Sequence, residues 1–173
     1  GHEGSGTVQE IGPGVTKVKP GDKVILSWIQ GSGANAPGSV YQWHNQSVNA
    51  GAVTTFGQDA VISENRLTIL PDGISMQQAA MVGCAVPTGV GAVLNTGQAE
   101  SGQSLVVFGA GGIGLLELAG AAIAGCSPMI AVDILPDKHA LAKQMGDTHS
   151  IDGSAGNAIE QINAICPGGV DIS

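Results

Sequence analysis

Three glycines and one acid carry the most specific chemistry in this chain. Gly109, Gly111 and Gly114 form a G-x-G-x-x-G series with Gly112 and Ile113 inside it, and Asp133 follows Gly114 by 19 residues. The first glycine lets the chain turn tightly, the second lets backbone approach a pyrophosphate, and the third lets a helix pack close to a sheet. The helix N-terminus adds N–H groups and a partial positive charge for the phosphates. An acid at the end of the next strand can accept hydrogen bonds from both adenosine ribose hydroxyls. The joint spacing predicts a dinucleotide site at Gly109, Gly111, Gly112, Ile113, Gly114 and Asp133. Asp133 would repel a 2′-phosphate, and Ile134-Leu135-Pro136 offers no arginine to receive one, so NAD is expected over NADP.

A second set of residues is less specific taken singly. A histidine such as His2 is usually a surface residue, and a cysteine such as Cys84 at a helix start is usually a small buried hydrophobe. Thr88 reads as a helix-starting hydroxyl. Cys126 and Cys166 have no partner at metal-ligand spacing and read as structural. His44 reads as solvated in a polar loop, and His139 and His149 as surface positions beside a sheet.

The elements around the glycine loop follow from pattern. Leu105 to Phe108 is a short apolar run that suits a buried parallel strand, and Met129 to Val132 is a second one. Ala119, Gly120, Ala121, Ala122 and Ala124 keep the helix between them thin. Pro136 can open another helix, with Leu141 and Met145 on one face and Gly146 as its cap. Thr148 to Ile151 is a third strand. Ile159, Ile162 and Ile165 mark a further helix, and Val170 to Ser173 reads as the beginning of a strand. Alternating strands and helices predict a doubly wound parallel sheet.

The first half reads differently. Gly6 to Gly12, Lys23 to Trp28, Ala52 to Phe56, Asp59 to Ile62 and Leu67 to Leu70 are strand candidates, separated by turns such as Pro20-Gly21-Asp22. Residues 30–51 read as loop, polar from Tyr41 to Asn49. A helix is expected from about Ser75, and Pro87 suits the first turn of another that runs to about Asn95.

Composition bounds the partners. The 173 residues are 43% hydrophobic, so a core is available, yet only 3% are aromatic. The net charge is −8 with Arg66 as the single arginine, which argues against nucleic acid and anionic membranes. No apolar run is long enough to span a bilayer. Three cysteines without a pairing pattern suggest a reducing, cytoplasmic setting. Both ends read as mid-motif, so an internal piece of a longer protein is expected.

Three segments and the glycine loop together resemble a known family. Gly1-His2-Glu3-Gly4-Ser5-Gly6, Val18-Lys19-Pro20-Gly21-Asp22-Lys23-Val24 and Gly83-Cys84-Ala85-Val86-Pro87-Thr88-Gly89, followed by Gly109 to Asp133, are similar to zinc-dependent alcohol dehydrogenases of the medium-chain dehydrogenase/reductase superfamily. The resemblance implies an α/β chain. Residues 1–87 would be part of a GroES-like β-rich catalytic domain. Residues 88–173 would be the first half of a Rossmann domain. It implies His2 and Cys84 as ligands of a catalytic zinc, with Glu3, the acid beside the histidine, counted with them in both the metal and the catalytic set, and Thr88 near the nicotinamide. A further cysteine ligand would lie upstream of Gly1. Such a site leaves one metal position open for an alcohol oxygen, and hydride passes from the alcohol to NAD to give an aldehyde or ketone. Many members carry a second, structural zinc on a four-cysteine lobe, which would fall near residues 30–51. No cysteine stands there, so one catalytic Zn²⁺ and no structural Zn²⁺ are expected. The expected partners are a small alcohol or carbonyl compound and, in the full-length protein, further copies of itself. Two other readings remain at this point: a zinc-free quinone or enoyl reductase of the same superfamily, and a catalytically inactive module that binds NADH.

Overall fold

A computed structural model describes all residues, 1–173. The chain packs as two units, Gly1–Cys84 and Ala85–Ser173. The division falls three residues before the boundary expected from the sequence.

The first unit is β-rich. Strand β1 (Gly4–Thr7) pairs antiparallel with β2 (Lys23–Leu26), in the register Gly4 to Leu26 and Thr7 to Lys23. A hairpin follows, β3 (Val40–Trp43) with β4 (Gln46–Asn49). Strand β5 (Leu67–Ile69) then closes on the free side of β2, giving the order β1-β2-β5. Helix α1 (Met76–Val82) ends the unit. Val18, Val24, Leu26, Val53 and Leu67 form its core, with Val8, Val15 and Ile62 packed around them.

Two expectations for this unit are corrected. The loop expected over residues 30–51 contains the β3–β4 hairpin. His44 and Asn45 turn it with φ of 44° and 61°, and the four pairs run from Val40–Asn49 to Trp43–Gln46. All eight strand residues are exposed, so no buried face marks the strands in sequence. The opposite correction applies to Ala52–Phe56 and Asp59–Ile62, which form no strand. Val53 is in the core, but Thr54, Thr55 and residues 57–62 border an open groove of about 760 Å³ against β1. A strand-like sequence without a ladder partner beside it stays irregular.

Glu64 fastens two loops of this unit. Its carboxylate accepts from the amides of Thr16 and Ala34, each at 2.6 Å, and from Lys17 at 2.5 Å. Three amide donors hold this carboxyl below the usual carboxylate range, the Ala34 bond most strongly, against the opposing effect of burial.

The second unit is a parallel sheet with helices on both faces. Helix α2 (Ala85–Gly91) runs into a single π-helical turn at Ala92–Thr96. Then come β6 (Leu105–Phe108), α3 (Gly112–Ala124), β7 (Met129–Asp133), α4 (Pro136–Gln144), β8 (His149–Asp152) and α5 (Ala158–Ile165). The order is β6-β7-β8, and Ile172 bridges Leu105 in parallel on the free side of β6. Asp171 secures that bridge, because its carboxylate accepts from both the amide and hydroxyl of Ser104. Strand order therefore reverses at β6, the position where a doubly wound sheet opens a ligand crevice.

Alternate residues of the strands feed two cores, as period two requires. Leu105, Val107, Met129 and Ala131 pack with Leu118, Ala121 and Ala142 of α3 and α4. Val106, Ile130, Val132 and Ile151 pack with Ile162 of α5. Cys126 and Cys166 are buried in these cores, as their structural reading requires.

Candidate functional site

The end of β2 positions both residues of the candidate metal site in the first unit. Gly4 stands opposite Leu26, which brings the chain just before β1, including His2, to that strand end. From the other direction, α1 begins at a capping box: Ser75 Oγ accepts from the Gln78 amide and the Gln78 side chain accepts from the Ser75 amide. The helix runs out at Gly83, which crosses directly over the Leu26 carbonyl. A β-carbon at Gly83 would collide with that oxygen. Ser27 Oγ then donates to the Gly83 carbonyl at 2.9 Å. With both approaches fixed to one strand end, His2 Nε2 lies 3.3 Å from Cys84 Sγ.

That separation suits a shared metal ion. A nitrogen at 2.0–2.1 Å and a sulfur at 2.3 Å from tetrahedral zinc stand about 3.6 Å apart. Glu3 does not join them: no three His, Cys, Asp or Glu side chains of this chain form a metal-sized group. Of the three residues expected about the metal, the structure brings His2 and Cys84 within direct contact of each other. Glu3 is exposed and borders the groove beside β1.

Sequence patterns did not single out the neighbours of this pair. The Trp28 ring meets the His2 ring edge-on, with centroids 6.0 Å apart. Arg66 lies over the other ring system, 5.4 Å from the Trp28 centroid, and donates to the Trp28 carbonyl. No spacing links residues 2, 28 and 66. The only signal was the solitary arginine itself.

In the second unit the glycine loop takes the form its sequence predicts. Gly109 has φ of +96°, the left-handed conformation that starts the turn off β6. Gly111 caps α3 without a side chain, and the space beside Gly111 and Gly112 is open to an approaching group. Gly114 is the tight position: a β-carbon there would strike the Gly109 carbonyl and press on Val107. Ile113 is partly exposed beside them.

Asp133 closes the loop from the next strand. Its Oδ2 accepts from the Ala110 amide at 2.7 Å and its Oδ1 from the Leu135 amide at 2.8 Å. The Leu135 bond foremost, with the Ala110 bond and the charges of His139 and Lys138, holds the carboxyl below the usual range, while burial opposes them. His139 reaches back from α4, with Nε2 3.0 Å from the Asp133 carbonyl oxygen. In sequence His139 reads as a surface position beside the sheet. Its position in the first turn of a helix, where side chains lean towards the N-terminus, was the available signal. Thr88 is exposed on α2.

Comparison with known proteins agrees with this fold. Residues 1–72 match the family model of the alcohol dehydrogenase GroES-like domain. The NDMA-dependent alcohol dehydrogenase of Amycolatopsis methanolica is 35% identical over 174 residues, covering 87% of this chain and 47% of that protein. The crystal structure of benzyl alcohol dehydrogenase from Acinetobacter calcoaceticus superposes with a TM-score of 0.80 at 31% identity, covering 98% of this chain and 52% of the other. An alcohol dehydrogenase zinc-binding domain protein from Burkholderia ambifaria gives 0.79 at 30% identity, covering 98% and 53%. The chain spans about half the length of the curated relatives it matches. With a GroES-like unit followed by the start of a doubly wound sheet, the chain belongs to the alcohol dehydrogenases of the medium-chain dehydrogenase/reductase superfamily.

Proposed function

We propose that the complete protein is an NAD-dependent alcohol dehydrogenase with one catalytic zinc per subunit, interconverting a small alcohol and its aldehyde or ketone. The observation that carries this reading is the 3.3 Å approach of His2 Nε2 to Cys84 Sγ. An imidazole and a thiol, brought together from opposite ends of a unit, form a soft N/S donor pair suited to zinc. The zinc-free reductase reading leaves that convergence without a purpose.

The chain's own residues would divide the work as follows. His2 would bind the metal through Nε2, which requires its ring proton on Nδ1. Cys84 would bind as a thiolate. When bound, zinc polarises the oxygen of the alcohol or carbonyl compound. The loop at Gly111 and Gly112, with the first amides of α3, would hold the pyrophosphate, and Asp133 the adenosine ribose. Thr88 would contact the nicotinamide. The same reading extends to a cytoplasmic homo-oligomer, and the three cysteines outside any disulfide support a reducing compartment.

The test is metal analysis of the complete protein beside a Cys84→Ser variant. We expect about one zinc per subunit. Cys84→Ser should lose most of it and nearly all alcohol oxidation while NADH binding persists. A variant that keeps full activity would remove Cys84 from the site. A metal-free but active wild type would favour the reductase reading.

A further inference from the structure

The adenosine end of the proposed nucleotide site contains a residue that no glycine or acid pattern points to. His139 is the fourth residue of α4, and its Nε2 lies 3.0 Å from the carbonyl oxygen of Asp133. A carbonyl only accepts, so Nε2 carries the proton and donates it. The Asp133 carboxylate meanwhile accepts the Leu135 amide, two residues on, at 2.8 Å. Main chain and side chain of Asp133 are thus both tied to the start of α4. Leu135, the N-cap, supplies no side-chain cap, so these bonds and the Lys138 amide bond to the Leu135 carbonyl are what fix the turn. Asp152 stands opposite Asp133 in the β7–β8 register, its carboxylate held by the amide and hydroxyl of Ser154. His139 is an electrostatic neighbour of both carboxylates.

We propose that His139 is a positioning residue for cofactor choice: by holding the Asp133 carbonyl it aims the Asp133 carboxylate at the ribose hydroxyls and against a 2′-phosphate. The inference rests on the nicotinamide-cofactor reading above. Its physical content is angular. Movement of the Asp133–Ile134 peptide would carry the next peptide with it, draw the Leu135 amide away from Oδ1 and leave the carboxylate held by the Ala110 amide alone, free to swing about that one bond. Discrimination between NADH and NADPH depends on where that charge points, so it falls when the aim is lost even though the acid remains.

The experiment measures dissociation constants of NADH and NADPH on the complete protein, by nicotinamide fluorescence. His139→Phe keeps a ring but removes the donor, and His139→Gln restores one. His139→Ala takes the place of the phenylalanine variant if that ring disturbs α4. The expected result is NADH binding weakened about three- to tenfold with NADPH binding unchanged or tighter, and recovery of most of the ratio by His139→Gln. In an Asp133→Ser background the same substitution should add little, because both act through one carboxylate. A ratio within twofold of wild type in the phenylalanine and alanine variants would overturn the proposal, as would full additivity with Asp133→Ser. Wild type that binds neither nucleotide would overturn the cofactor reading itself, and this inference with it.

Discussion

The Asp133 carboxylate accepts a 2.7 Å hydrogen bond from the amide of Ala110, 23 residues earlier in the chain and inside the glycine loop. The acid that would read the cofactor ribose therefore also braces the loop that would hold its phosphates. The glycine loop and the strand-end acid are mechanically one site.

Replacing Asp133 should for that reason act twice. Asp133→Ser removes the charge that opposes a 2′-phosphate and the acceptor that holds Ala110. Binding of NAD should weaken about ten- to hundredfold and the gap to NADP should narrow. Zinc content should not change. Titration of both nucleotides against wild type and variant measures the two effects. A ratio that stays fixed would reduce Asp133 to an ordinary strand-end acid.

Gly83 should be intolerant of any side chain. The β-carbon of Gly83→Ala would enter the Leu26 carbonyl, so the chain must lift off β2 and carry Cys84 with it. We expect destabilisation of about 1–3 kcal/mol. A fall in zinc content should accompany it, although the substituted residue is not a ligand. Chemical denaturation followed by metal analysis tests both parts. Unchanged zinc loading would show that Cys84 reaches His2 without help from this crossing.

Gly114→Ala should separate fold from cofactor in the other unit. Its β-carbon would strike the Gly109 carbonyl and open the loop. NADH affinity should fall by at least about tenfold, at an overpacking cost of about 1–3 kcal/mol. Gly111→Ala is the contrast. The space beside Gly111 is open, so stability should hold and only the approach of the pyrophosphate should suffer. Equal thermal midpoints and equal affinities in the two variants would contradict these separate roles.

Glu64 should make the first unit acid-sensitive. Its carboxyl is held below the usual range in the folded state by the Ala34, Lys17 and Thr16 amides. A depressed folded value means that the stabilisation is present above the unfolded value and is lost as pH falls through the folded one. Glu64→Gln replaces one acceptor oxygen with an amide donor facing N–H groups. The variant should be less stable at pH 7 and should lose less on acidification than wild type. Unfolding curves between pH 7 and pH 3 give the comparison. Parallel pH profiles for the two proteins would show that Glu64 does not drive the acid sensitivity.

Much of this protein was determined by the sequence alone. The strand–glycine–helix–strand–acid spacing from Leu105 to Asp133 is local, and its reasons are steric and electrostatic within some thirty residues, so pattern reading located the loop, the acid and the alternation of the parallel sheet. Tertiary structure decided what depends on partners distant in the chain. The β3–β4 hairpin is exposed on both faces, so no apolar period announced it, while the strand-like residues 52–62 found no ladder to join. His2 and Cys84 were matched through their motifs, but their meeting depends on the end of β2, which receives Gly4 from one side and Gly83 from the other. Glu3 adjoins His2 in sequence, yet it lies exposed beside the groove against β1 and adds no third donor to the pair. His139 was overlooked for the complementary reason. Its partner is a backbone carbonyl, and every residue but its geometry looks the same at that atom.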